Sequence, residues 1–164
     1  MITAESFRIG HGFDVHPYSD DPDRHLILGG VAFPDEKGLA GHSDADVVAH
    51  AVTDAILGAA GLGDIGEHFP DTEESLAGAN SIELLERAVS AARAHGWTPV
   101  NIDCTVVVDS PKISSVRDDM QHNISVAAGA PVTVKGTRTE GIGSLGRGEG
   151  IAAMAVVLVT QATV

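Results

Sequence analysis

The chain has 164 residues, 43% of them hydrophobic, enough to bury one substantial core and suited to a single domain over 1–164. Ten basic against 23 acidic residues leave a net charge of −13, which argues against nucleic acid or an anionic membrane as partner, since either needs a basic patch to displace counterions. The start MITAESFRIG lacks a basic and apolar leader, and no stretch approaches the roughly 20 apolar residues of a membrane span, so a soluble cytoplasmic protein is expected.

In chain order, the first expected strand runs near Phe7 to Val15. At its end Asp14 and His16 lie two residues apart, so both side chains project from one face. A second strand is expected near His25 to Phe33, with Gly29 and Gly30 as a bulge or bend. SDADVVAHAVTDAILGAAG reads as a helix with Ser43 as N-cap and Asp46 three residues on, an acidic variant of the capping box. Val47, Val48, Ala51, Val52, Ala55 and Ile56 form its apolar stripe; Asp46, His50 and Asp54, spaced by four, fall on one polar face. The loop GLGDIGEHFPDTEESLAGA ends at Asn80 or Ser81, caps for the helix SIELLERAVSAARAHG, which Gly96 closes. PVNIDCTVVVD reads as a strand, PKISS leads into a helix lined by Val116, Met120, Ile124 and Ala127, and PVTVKGTRT is a further strand. The last strand, IAAMAVVLVT, is apolar on both faces and belongs in the centre of a sheet or against another subunit. The alternation predicts an α/β (α+β) fold, a mixed β-sheet with helices packed on one face.

Asp14, His16 and His50 offer one carboxylate and two imidazoles, the ligand set of an open catalytic zinc site. Closed structural zinc sites usually recruit cysteines, and Cys104 stands alone in an apolar run, where it acts as a small buried hydrophobe. Asp54, on the polar face with His50, is the candidate to hold the imidazole in its ligating tautomer. Four of the ten basic residues, Lys112, Lys135, Arg138 and Arg147, fall in segments that look like loops around a site, and the other six read as solvated. Glycines cluster in GLGDIG and GIGSLGRGEG, where bare backbone N–H groups can approach phosphate, or simply form turns and helix ends.

Several separated blocks, GHGFDVH, KGLAGHSDADVVAHAVTDAILGAAGLGDIGEHFPDT, the SPK of DSPKISS, and GRGEGIA, together resemble the 2-C-methyl-D-erythritol 2,4-cyclodiphosphate synthase family from about Arg8 to Ile151. The resemblance implies a homotrimer with active sites at subunit interfaces. It implies a phosphorus-oxygen lyase of the non-mevalonate isoprenoid pathway: the 2-phosphate of 4-diphosphocytidyl-2-C-methyl-D-erythritol 2-phosphate attacks the diphosphate phosphorus nearer the erythritol, expelling CMP and closing a cyclic diphosphate.

Zinc on Asp14, His16 and His50 would polarise the attacked phosphorus, and a second divalent cation, Mg²⁺ or Mn²⁺, would be held by Glu140 and the substrate diphosphate. The same resemblance assigns phosphate binding to His42 and Ser43, at a helix N-terminus where anions are favoured, with His42 also catalytic. The segment Asp14 to His16, with Val15 between, is included among the substrate contacts. Asp64, Ile65 and Gly66, then Phe69, Pro70, Asp71, Thr72 and Glu73, match the erythritol pocket. Val108, Asp109, Ser110, Pro111, Lys112, Ile113 and Ser114 match the segment that holds the cytosine, contributed by the neighbouring subunit. Thr137, Thr139 and Glu140 match the diphosphate segment.

Two positions depart from the family pattern. Arg138 stands where a threonine that stabilises the transition state is more common, and it is the second catalytic candidate. Ser144 stands where many relatives carry phenylalanine near a trimer-axis cavity that accepts isoprenoid diphosphates; Arg147 remains as the anion partner. Two rival classes are a zinc phosphohydrolase, with Asp46 or Asp64 as base, and a trimer that uses zinc for assembly alone.

Overall fold

The computed structural model describes residues 6–161. Strands β1 (Phe7–Pro17), β4 (Trp97–Val107), β5 (Val132–Thr137) and β6 (Gly150–Gln161) form one sheet in the order β1-β6-β4-β5. β6 pairs antiparallel with both β1 and β4, and β4 pairs parallel with β5, so the sheet is mixed as expected. β6 lies inside the sheet, which explains its continuous apolar run.

Helices α1 (Val47–Ala60), α3 (Ser81–Ala94) and α4 (Arg117–Ala128) pack on one face, and single turns α2 (Ile65–His68) and α5 (Gly143–Gly146) interrupt the loops. Inward residues of the sheet (Ile102, Cys104, Val106, Val134, Ala153, Ala155, Val157) meet Val47, Val48, Ala51, Val52, Ala55 and Ile56 of α1 in one core. Burial pushes the Cys104 thiol up to about 12, which keeps it protonated and inert. The other face of the sheet exposes Ile9, Phe13, Val15, Met154 and Val156.

Two local expectations give way. The segment expected as one strand from His25 to Phe33 is a hairpin, β2 (His25–Leu28) and β3 (Val31–Lys37), turning at Gly29 and Gly30 with φ of 58° and 71°. Both central residues of such a two-residue turn need positive φ, which glycine adopts without strain. The helix carrying His50 starts later than expected: Asp46, not Ser43, is its N-cap, accepting the N–H groups of Val48 and Ala49. The Asp46 carboxylate also accepts from Gly29 and Gly30, tying the hairpin turn to the helix start. Asp46 is thus fully buried rather than on a polar face; burial raises its pKa against the pull of those N–H donors.

β1 lies against α1 with no side chain between them. A Cβ on Gly10 would sit 1.9 Å from the Ala55 carbonyl oxygen, and one on Gly12 would sit 2.0 Å from that of Ala51. The two-residue step of a strand, about 6.6 Å, nearly matches the four-residue step of a helix, about 6.0 Å. The register Gly10 to Ala55 and Gly12 to Ala51 therefore carries the next inward residue, Asp14, to the start of α1 and to His50. Gly12→Ala is expected to lower stability by about 1–3 kcal/mol or more through overpacking, and to lower bound zinc in the protein that remains folded. Thermal unfolding and metal analysis of the same sample check both.

Candidate metal centre and substrate clefts

Asp14 and His16 reach the site from β1, and His50 from the first turns of α1. Asp14 Oδ2 lies 3.0 Å from His16 Nε2 and 3.0 Å from His50 Nδ1, and the two nitrogens are 3.2 Å apart. Around a tetrahedral zinc with ligand distances of roughly 2.0 Å, donor atoms stand about 3.3 Å from one another, so this triangle fits three corners and leaves the fourth free. Only these residues form a donor cluster of this kind among the described residues.

The hydrogen bonds behind the triangle fix which atoms face it. His16 Nδ1 donates to the Ala40 carbonyl oxygen at 2.7 Å, and since a carbonyl only accepts, Nε2 keeps its lone pair for the centre. His50 turns Nδ1 inward and sets Nε2 against the Ser81 hydroxyl at 2.9 Å and the Ser43 hydroxyl at 3.0 Å. Burial opposes charge on Asp14, yet the two imidazoles outweigh it and hold its carboxyl far below the usual carboxylate range. Burial also works against a charged His16, and the hydrogen-bonded Asp14 outweighs it, raising the His16 pKa. A third positive partner, a metal ion, satisfies the same field without protonating either ring.

A cleft opens beside the centre, lined by Asp14, His16, His42, Ser43, His50, Ile65, Gly66, Phe69, Asp71, Leu76 and Leu84. It gathers most of the expected erythritol and phosphate residues and adds Leu76 and Leu84, which periodicity alone read as helix or loop residues. Asp64 instead caps α2 through the Glu67 N–H, and Pro70, Thr72 and Glu73 lie off the lining. The Glu73 carbonyl accepts from His42 Nε2 at 2.7 Å, so this loop holds the His42 ring in place. Val15 points to the opposite face of β1, exposed beside Ile9 and Phe13.

A second cleft is lined by Val108, Asp109, Pro111, Lys112, Ile113, Ser114, Arg117, Gly136, Thr137 and Arg138. This is the expected cytosine segment without the Ser110 side chain, and with Arg117 and Gly136 added. Thr139 donates its backbone N–H and hydroxyl to Asp109, and Arg138 Nε lies 3.6 Å from the same carboxylate; these donors hold the Asp109 carboxyl below its usual range. Glu140 takes a left-handed backbone with φ of 53°, unusual for a residue with a side chain.

Three expectations about charge need correction. Asp54 is not a partner of His50; its Oδ1 accepts the Ile65 N–H at 3.2 Å, which anchors α2. Lys135, on β5, pairs with Asp103 and lines neither cleft. Arg24 and Arg87 are not merely solvated. Arg24 donates to the carbonyls of Gly41 and Ser43, clamping the loop that carries His42, and the Arg87 guanidinium lies 4.8 Å from the centre of the Phe69 ring.

A donor triad with one open position beside a cleft is the arrangement of a metal-dependent enzyme. The YgbB family model matches residues 7–160, and the chain belongs to that family. A protein of Bordetella petrii named 2-C-methyl-D-erythritol 2,4-cyclodiphosphate synthase is 54% identical, covering 96% of this chain and 98% of its own length. One of Rubrobacter xylanophilus with the same name is 51% identical, covering 95% and 96%. Among solved structures, the IspF of Plasmodium falciparum in complex with CDP superposes with a TM-score of 0.83 at 32% identity, covering 98% of this chain and all of that one. The bifunctional IspDF of Campylobacter jejuni superposes with a TM-score of 0.89 at 44% identity; this chain covers 42% of it.

Asp14→Asn is expected to strip the centre of zinc, while Asp54→Asn keeps it, both read by metal analysis after dialysis. Full zinc in the first variant would remove Asp14 from the donor set.

Proposed function

We propose that this chain, as one domain over residues 1–164, is a 2-C-methyl-D-erythritol 2,4-cyclodiphosphate synthase, converting 4-diphosphocytidyl-2-C-methyl-D-erythritol 2-phosphate to the cyclic diphosphate plus CMP. The observation that carries it is the triangle of Asp14, His16 and His50 with two imidazoles aimed inward, in a chain of this family. In the reaction an oxygen of the 2-phosphate forms a bond to the phosphorus nearer the erythritol, and the bond from that phosphorus to CMP breaks, CMP taking the electron pair. Zinc held by Asp14, His16 and His50 would supply Lewis acidity at the attacked phosphoryl group.

The chain's own residues supply position. His42, held by the Glu73 carbonyl, and the Ser43 hydroxyl face the metal cleft where a phosphate would be bound. Asp71 and the Ile65–Gly66 segment line the metal cleft, where erythritol hydroxyls would be bound, while Phe69, Leu76 and Leu84 keep water from the phosphorus. Pro111 through Ser114 would line the cytosine cleft, and the CDP complex of the Plasmodium protein supports a cytidine ligand. Arg117 and Arg138 bring positive charge to that cleft, and Arg138 takes the place of the family's threonine toward the diphosphate. Thr137 and Thr139 frame the same segment, with Glu140 as carboxylate for a second divalent cation.

The hydrolase alternative loses a base: Asp46 is buried under four N–H donors, and Asp64 is engaged in capping. The exposed apolar residues Ile9, Phe13, Val15, Met154 and Val156 support a homotrimer whose subunits cover this face and complete one another's sites. Ser144 and Arg147, on and just after α5, would lie toward its axis. Among the described residues no helix is long and apolar enough to cross a membrane, and the reading places the enzyme in the cytoplasm.

Phosphorus NMR of the purified protein with substrate and Mg²⁺ is expected to yield coupled cyclic-diphosphate signals with one CMP per turnover; linear phosphate products would favour hydrolysis. Glu140→Gln is expected to raise the Mg²⁺ concentration needed for half-maximal rate, and an unchanged dependence would place the second cation elsewhere. Phe13→Asp should dissociate the trimer in gel filtration.

A further inference from the structure

Behind His50 lies a chain of hydrogen bonds that none of the substrate or metal assignments uses. Ser81, the first residue of α3, is fully buried, and its hydroxyl lies between His50 Nε2, at 2.9 Å, and Asp44 Oδ1, to which it donates in a short hydrogen bond. Asp44 is held there by two further donors: the Ser81 N–H reaches Oδ2 at 3.1 Å and the Asp46 N–H reaches Oδ1 at 3.2 Å.

The direction of this chain is decided by counting hydrogens. All three bonds to Asp44 come from donors, so its oxygens act as acceptors. A serine hydroxyl has one hydrogen, and Ser81 gives it to Asp44, so toward His50 the Ser81 oxygen can only accept. Ser43 Oγ, 3.0 Å from Nε2, already accepts the Ala45 N–H, and its own hydrogen goes to the Ser81 oxygen at 3.3 Å, so both hydroxyl oxygens face Nε2 as acceptors. Nε2 then carries the imidazole hydrogen, and Nδ1 is left bare. Nδ1 is the atom 3.0 Å from Asp14 and 3.2 Å from His16 Nε2.

We infer that Asp44 and Ser81 are positioning residues for the metal: through Ser81, the Asp44 carboxylate fixes His50 in the tautomer whose Nδ1 can ligate. This rests on the reading of Asp14, His16 and His50 as the zinc ligands. It also moves the carboxylate expected to orient His50 from Asp54, four residues along the same helix, to Asp44, which reaches the ring only through a residue 37 positions away in sequence. Carboxylate-to-histidine bonds of this sort raise ligand basicity and hold the ring against rotation, and their loss typically costs 10- to 100-fold in metal affinity.

The two substitutions that break the chain act differently. Ser81→Ala removes the link and leaves the Ser81 N–H to Asp44 intact, so the start of α3 stays anchored. Asp44→Asn can turn an amide N–H toward the Ser81 oxygen, which frees the serine hydrogen to point at Nε2 and favours the tautomer that cannot ligate through Nδ1. Ser81→Thr keeps the hydroxyl.

The test is competition for zinc between the full-length protein and a calibrated chelator, on the parent, Ser81→Ala, Asp44→Asn, Ser81→Thr and the double variant Asp44→Asn with Ser81→Ala. Each of Ser81→Ala and Asp44→Asn is expected to weaken zinc binding by about 10- to 100-fold, the double variant no more than Ser81→Ala alone, and Ser81→Thr to stay close to the parent. Unchanged affinity in both single variants overturns the inference, as do independent losses that multiply in the double variant. A loss in Ser81→Thr equal to that in Ser81→Ala overturns it too, by pointing to packing at that buried position. A parent protein that binds no zinc, or that still binds it after His50→Ala, overturns the metal reading itself, a different result from a parent that binds zinc with unresponsive variants.

Discussion

Everything at the metal centre depends on the approach of β1 to α1, backbone against backbone. Gly10 and Gly12 leave room for the carbonyl oxygens of Ala55 and Ala51, distances at which any Cβ would collide. Strand and helix are thereby locked at near-commensurate steps, and the next inward positions of β1, Asp14 and His16, have no freedom in where they meet the helix. His50 is one residue before Ala51, so the contact that excludes a side chain at Gly12 is also the contact that sets the imidazole beside the carboxylate. Fold stability and ligand geometry share one interaction here.

A chain with net charge −13 that takes an anionic substrate must create attraction locally. It does so with few cations. Lys112, Arg117 and Arg138 line the second cleft, whereas the metal cleft has imidazoles, a hydroxyl and a site for a divalent ion. Arg24 and Arg87 instead serve geometry: Arg24 holds the carbonyls of Gly41 and Ser43, and Arg87 lies over the Phe69 ring. Net charge therefore does not report what the clefts bind.

The sheet and long helices were legible because each presents a period to the core: two in β1, and 3.6 along α3 and α4. The donor pair Asp14 and His16 was legible for the same reason, since alternation alone places both on one face. Capping was not. Ser43 and Asp46 both suit an N-cap, and the choice was made by the hairpin turn, whose Gly29 and Gly30 N–H groups need an acceptor and find it in Asp46. That releases Ser43 to face His50. Asp54 misled because helical spacing reports which side chains share a face, while the side chain itself turned to the nearer unpaired donor, the Ile65 N–H. Ser81 and Asp44 could not be connected to His50 from spacing, because α3 and α1 meet only in the folded core.

The division of labour between elements follows from what each must tolerate. Metal donors gain from rigidity, and all three come from a strand paired with β6 along its whole length and a helix buried on nearly every side. The residues around the substrate clefts, from Asp64 to Glu73 and from Asp109 to Ser114, come from loops and single turns tied down by a few side-chain bonds. Loops of this kind can adjust to a large, highly charged substrate at little cost, because few buried contacts must be broken. A rigid centre with adaptable walls lets the metal geometry stay fixed while the substrate is folded back on itself for ring closure, the step in which two phosphoryl groups must be brought together against their repulsion.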